Sequence, residues 1–201
     1  MASQEYLAIV KRRLSQSGRT YRIVLTALLA LVAAGAAAAD SPGSPADSTA
    51  SGDDHPLLDP VPDTPAAPAF ELTAADGSAF RFDDMRGKPV VVNFWATWCP
   101  PCRAEMPSMQ RAWQQVREEG IGVVAINVGE DRETIEQFTS EVPVDFPLPM
   151  DTDSEVVQSW PVRGLPTTFV VDPEGRLVYR AEGERDWDSA ELLDLIRALK
   201  R

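Results

Sequence analysis

Histidine and cysteine are nearly missing from this 201-residue chain, which holds one histidine, His55, and two cysteines, Cys99 and Cys102. That scarcity excludes tetrahedral zinc sites made of four cysteines, or of two cysteines and two histidines. A histidine-based triad would depend on His55, which lies in a segment that reads as a tether. Covalent c-type haem attachment needs histidine directly after a Cys-x-x-Cys pair, and Arg103 stands there. Basic residues are also short, 19 against 31 acids, for a net charge of −12 and a pI near 4.5. Nucleic-acid binding needs a basic face to displace counterions, so that class is set aside and no nucleic-acid partner is expected. What remains for chemistry is a pair of thiols.

Charge is unevenly spread. Residues 1–39 hold five basic groups (Lys11, Arg12, Arg13, Arg19 and Arg22) against Glu5 alone, while the rest of the chain is strongly acidic. From Ile23 to Ala39 there is no charge at all. As a helix those residues would span roughly 25 Å, a little less than a hydrocarbon core of about 30 Å. Two readings of 1–39 follow: a signal peptide cleaved after Ala37-Ala38-Ala39, or an uncleaved N-terminal membrane anchor. The Arg12-Arg13 pair lies too far from the apolar run for a twin-arginine signal to weigh much, and no cysteine follows the run to accept a lipid. Either reading places the remainder in the periplasm or on the outer face of the cytoplasmic membrane.

Residues 40–69 are rich in Pro, Ser, Ala and Asp, with seven prolines, and read as an extended linker with His55 solvated inside it. The pattern changes at Phe70. Phe70–Leu72 and Ala79–Phe82 alternate about Asp76-Gly77 and predict a hairpin. Val90–Trp95 and Ile121–Val128 are near-continuous apolar runs, as expected for strands buried on both faces. Helices are predicted from Pro100 to about Glu119, from Asp131 to Val142, from Asp153 to Trp160 and from Asp186 to Leu199. In the last, Leu192, Leu195, Ile196 and Leu199 share one face. Phe146–Met150 reads as a short edge strand, and Thr167–Val171 with Leu177–Ala181 as a hairpin about Asp172-Pro173-Glu174-Gly175. The fold class is α/β, a mixed central sheet with helices on both faces in one domain over 70–201.

The thiols sit where a buried strand turns into a helix, in Trp98-Cys99-Pro100-Pro101-Cys102. Cys99 falls at the helix N-cap, where backbone N–H groups and the helix dipole favour a thiolate. Thiolate is the attacking species in disulfide exchange, and Cys102, three residues on, can close a disulfide and expel a bound partner. The plain alternative is a stabilising staple, but a loop this small contributes only roughly 2 kcal/mol.

FWATWCPPCRAEMP at 94–107, followed by GLPTTF at 164–169 and VDPEGRL, resembles the TlpA/ResA/DsbE (CcmG) group of thioredoxin-fold proteins, exported thiol–disulfide oxidoreductases. The resemblance covers about 70–201 and implies a thioredoxin-like fold. It also implies that Cys99 is the exposed nucleophile, Cys102 the resolving thiol, and the bond before Pro166 a cis peptide set against the disulfide. The backbone of Leu165 would then pair with a substrate strand, and 129–152 would be the insertion typical of the group. Asn93 stands where thioredoxin carries a buried aspartate, so another base is needed. Glu105, one turn beyond Cys102, either tunes the thiols, as in ResA-type proteins, or is merely an acid favoured near a helix start.

Trp98 is a substrate-facing candidate beside the thiols, whereas Trp95 reads as core. Met106 and Met109 raise the prospect of copper contact, though their helical spacing fits packing. The resemblance implies no cofactor and a monomer that keeps the cysteines of protein substrates reduced. An apocytochrome c comes first as substrate and a copper-site protein second, with a membrane thiol-transfer protein as electron donor. A general disulfide oxidant and a dithiol copper metallochaperone are the alternatives. A peroxiredoxin-type peroxidase would carry threonine or serine three residues before its cysteine, where this chain has Ala96.

Overall fold

The computed structural model describes residues 57–200; the apolar run, most of the linker and His55 lie outside the described residues. A six-stranded sheet, ordered β1-β8-β7-β4-β5-β6, organises the domain. Its strands are β1 (Asp59–Pro60), β4 (Val90–Trp95), β5 (Gly122–Val128), β6 (Met150–Asp151), β7 (Thr167–Val171) and β8 (Leu177–Glu182). β4 pairs parallel with β5 and antiparallel with β7, which makes the sheet mixed as expected. A separate hairpin joins β2 (Glu71–Thr73) to β3 (Ala79–Arg81). The described residues also form four α-helices, α1 (Pro100–Val116), α2 (Arg132–Glu141), α3 (Glu155–Ser159) and α4 (Ala190–Arg197), and two short 3-10 helices, Phe82–Met85 and Arg117–Glu119.

Side-chain alternation on β4 divides the core in two. Val91 and Trp95 face the side covered by α1, α2 and α4, while Val90, Val92 and Phe94 face α3 and the hairpin. On the second side Phe70, Phe82, Phe94, Phe169 and Trp160 stack or meet edge to face with centroids 5.1–6.4 Å apart. Asn93 lies between Val91 and Trp95 on the first side, directly beneath α1.

Three sequence readings need correction. The linker does not run to Ala69. Asp59 and Pro60 pair with Arg180 and Tyr179, Val61 N donates to the Val178 carbonyl (3.0 Å), and Leu58 is buried. Proline cannot donate to a ladder but is tolerated on an edge strand, so proline-rich composition concealed one here. Phe146–Met150 yields only the two-residue β6. Pro147 and Pro149 still lend their carbonyls to Ala125 N (3.1 Å) and Asn127 N (2.9 Å) of β5, but they have no N–H to give. The last helix begins at Ala190 rather than Asp186: Ser189 is extended (φ −62°, ψ 142°) and stands at the N-cap, and ahead of it the Trp187 N–H donates to Ser108 Oγ on α1 (3.1 Å). Its buried face is Leu192, Leu193 and Ile196, with Leu195 and Leu199 half-buried.

Helix α2 starts at Asp131, whose carboxylate accepts from Thr134 N (2.9 Å). Asp131→Ala is expected to cost about 1 kcal/mol, read as a lowered urea midpoint with unchanged slope.

Candidate active site

β4 ends at Trp95, and Ala96-Thr97-Trp98 carries the chain to Cys99, the N-cap of α1. Pro100 and Pro101 occupy the first helical turn, whose N–H groups have no partner within the helix. Cys99 and Cys102 form a disulfide with S–S 2.06 Å and Cα–Cα 5.3 Å. Cys102 N donates to Cys99 Sγ (3.3 Å), so the helix start aims a backbone dipole at that sulfur. Contrary to the exposed position implied by resemblance, Cys99 is only 3% accessible in the disulfide, and Cys102 is fully enclosed. The surface beside them belongs to Trp98, whose side chain is 68% exposed; Trp95 is core.

Beneath the disulfide on the same helix lies Glu105, itself 2% exposed. Its Oε1 accepts from Asn93 Nδ2 (2.8 Å), and its Oε2 accepts from Trp187 Nε1 (2.9 Å) and Arg185 N (3.3 Å). Burial pushes its pKa up to about 7, and those three donors offset only part of the desolvation. Asn93 Nδ2 also donates to Thr168 Oγ1 on β7 (2.8 Å), while Asn93 Oδ1 has no partner. A cleft of about 360 Å³ is lined by Glu105 together with Ala104, Pro107, Arg111, Arg185 and Asp186.

Leu165–Pro166 is a cis peptide bond. Thr167 pairs with Phe94, so Pro166 stands at the end of β7 beside the point where β4 hands over to the disulfide loop. Pro166 is buried, and the Leu165 side chain packs partly against both halves of the core. The structure thus brings Cys99, Cys102, Glu105, Trp98, Leu165 and Pro166 to one end of the sheet. Met106 and Met109 face the core between α1 and the sheet, away from solvent. Among the described residues no group of three or more His, Cys, Asp and Glu is placed to hold a metal ion.

Four contributors escaped the sequence reading. Trp187 and Arg185 reach Glu105 from about 80 positions away. Thr168 was legible in principle, as a polar residue inside a buried strand. Glu130 grips Thr97 from the loop after β5 with no local signal. A surface cavity of about 750 Å³ between β2 and α3 touches none of these groups.

The AhpC/TSA family pattern matches residues 64–180. Thiol-disulfide oxidoreductase ResA of Bacillus subtilis (strain 168) is 40% identical over 112 residues, covering 56% of this chain and 63% of that one. ResA of Bacillus thuringiensis subsp. konkukian (strain 97-27) is 32% identical over 125 residues, covering 62% and 72%. This chain therefore spans just under two thirds of the first relative and somewhat more of the second. A crystal structure of a thiol:disulfide interchange protein of the thioredoxin family from Chlorobium tepidum TLS superposes with TM-score 0.60 at 29% identity, covering 67% of this chain and 97% of that one. With its thioredoxin-like sheet, its disulfide at the start of α1 and the cis bond before Pro166, the chain belongs to the AhpC/TSA family and is a homologue of ResA.

Proposed function

We propose that this protein is an extracytoplasmic thiol–disulfide oxidoreductase that reduces disulfides in protein substrates. The observation that carries the reading is the buried Glu105 carboxyl one turn below a disulfide at a helix start. In the dithiol form the Cys99 thiolate attacks one sulfur of a substrate disulfide, forming a mixed disulfide as the substrate's other sulfur leaves as thiolate. Cys102, deprotonated, then attacks Cys99 Sγ, and the second substrate thiolate departs. Two electrons have passed to the substrate, the two protons of the dithiol end on its thiols, and the Cys99–Cys102 disulfide is restored. Glu105, titrating near neutrality, is suited to accept the Cys102 proton and release it through the adjacent cleft.

Electrostatics supports this direction. A strong oxidant stabilises its reduced thiolate, whereas an ionised carboxylate beneath the thiols opposes that charge and favours giving electrons away. Pro100 and Pro101 supply no compensating cation. The substrates this suits are cysteine pairs that must be kept free for metalloprotein assembly, apocytochrome c foremost, with electrons arriving from a membrane thiol-transfer protein. Residues 1–39 serve as signal or anchor and the segment from 40 to the start of β1 as the tether, supported by the basic cluster, the apolar run and the proline-rich composition. Equilibration with glutathione is expected to give a reduction potential below about −200 mV; a value near −120 mV would make the protein an oxidant.

A further inference from the structure

The residue just ahead of Trp98 is held by more hydrogen bonds than a surface loop requires. Glu130, half-buried between β5 and α2, accepts from Thr97 N (2.7 Å) and Thr97 Oγ1, and Asn127 Nδ2 secures it from below (2.7 Å). The Thr97 carbonyl in turn accepts from Arg103 Nη1 (3.4 Å), whose guanidinium lies 5.2 Å over the Phe138 ring of α2. Backbone donor, backbone acceptor and hydroxyl of Thr97 are therefore all engaged. Directly after this fixed point comes Trp98, one of two large apolar side chains exposed among the described residues, and next to it is Cys99.

A rigid backbone beneath an exposed indole is a preorganised anchor. Tryptophan is enriched among residues that dominate binding energy, and fixing it before contact removes an entropic cost of association. We propose that Glu130 is a positioning residue for substrate recognition: it fixes Thr97 so that Trp98 stands beside Cys99 as a docking plate for an extended, cysteine-bearing polypeptide. This rests on the thiol–disulfide exchange reading and deepens it, because it separates recognition of a chain from reactivity toward a disulfide.

The geometry makes a distinctive demand. Both N–H donors, Thr97 N and Asn127 Nδ2, meet one carboxylate oxygen, and the other oxygen faces only a hydroxyl. Glutamine can reproduce this, its oxygen taking the two N–H groups and its amide donating to Thr97 Oγ1, which accepts as readily as it donates. Alanine cannot. The test follows the reduced full chain, as wild type, Glu130→Ala, Glu130→Gln and Thr97→Val, reducing two probes: an oxidised Cys-x-x-Cys-His decapeptide and 2-hydroxyethyl disulfide. Glu130→Ala should lose about tenfold or more in kcat/KM on the peptide, mainly through KM, and stay within about twofold of wild type on the small disulfide. Glu130→Gln should restore the peptide rate. Thr97→Val, which removes one donor, should show a smaller loss with the same selectivity, and it keeps the test decisive should the alanine variant not fold. Equal losses on both probes, no loss on the peptide, or a glutamine variant as slow as alanine would each overturn the proposal. A wild type inert toward both probes would instead remove the exchange reading itself.

Discussion

Cys102→Ser is expected to leave the first exchange step running and to abolish turnover. With Cys99 free at the helix start, attack on a substrate disulfide still proceeds, since the backbone N–H groups that favour its thiolate are unchanged. Resolution does not. A serine hydroxyl at neutral pH is too weak a nucleophile to reopen a mixed disulfide, so multiple turnover should fall by about three orders of magnitude or more. Covalent adducts at Cys99 should accumulate and be visible by mass spectrometry of the intact protein. The oxidised form also forgoes a four-residue covalent loop, for which chain entropy predicts a loss of roughly 2 kcal/mol, small enough for the fold to survive. Normal turnover without trapped adducts would show that Cys102 does not resolve the intermediate.

Glu105→Gln carries the second large effect, and it is one of pH. The wild-type carboxyl binds its proton more tightly folded than unfolded, because burial raises its pKa from 4.5 to about 7. The corresponding stability is fully present below pH 4.5 and is lost as pH rises through about 7, where the folded protein must hold a buried anion. For a shift of that size the loss is about 3 kcal/mol. Glutamine has no such titration, so the gap between the two proteins' urea-derived stabilities should change by about that amount between pH 4.5 and pH 8. Asn93 permits the substitution: turning its amide presents the unpartnered Oδ1 to the glutamine Nε2 and to the Thr168 hydroxyl. In the reduced protein, the pH profile of Cys99 alkylation should lose the contribution of the Glu105 titration near neutral pH. Parallel stability curves and an unchanged alkylation profile would take Glu105 out of the chemistry.

Local patterns made much of this legible. The run Val90–Trp95 reads as a buried strand because six residues in succession are apolar apart from Asn93, and that one polar residue is the partner of Glu105. Gly120, in the left-handed region at φ 76°, closes the first long helical stretch where the sequence places its end. The thiol pair and Glu105 lie within seven residues on one helix, so their spacing alone puts them on adjoining turns. What escaped notice depends on contacts between distant segments. The Trp187 indole meets a carboxylate 82 residues away, and Thr97 meets one 33 residues away; no periodicity encodes such pairs. β1 escaped for a different reason: composition averages over 30 residues, whereas an edge strand needs only two or three N–H groups in the right places.

Both margins of the six-stranded sheet are two residues long and carry proline in or beside them. A bare sheet margin is a template on which any unfolded chain can lay itself down, and proline together with brevity denies it the donors to do so. The same denial would keep the extended, cysteine-bearing substrates proposed above off the flanks of the sheet and leave their encounters to the end where the disulfide lies.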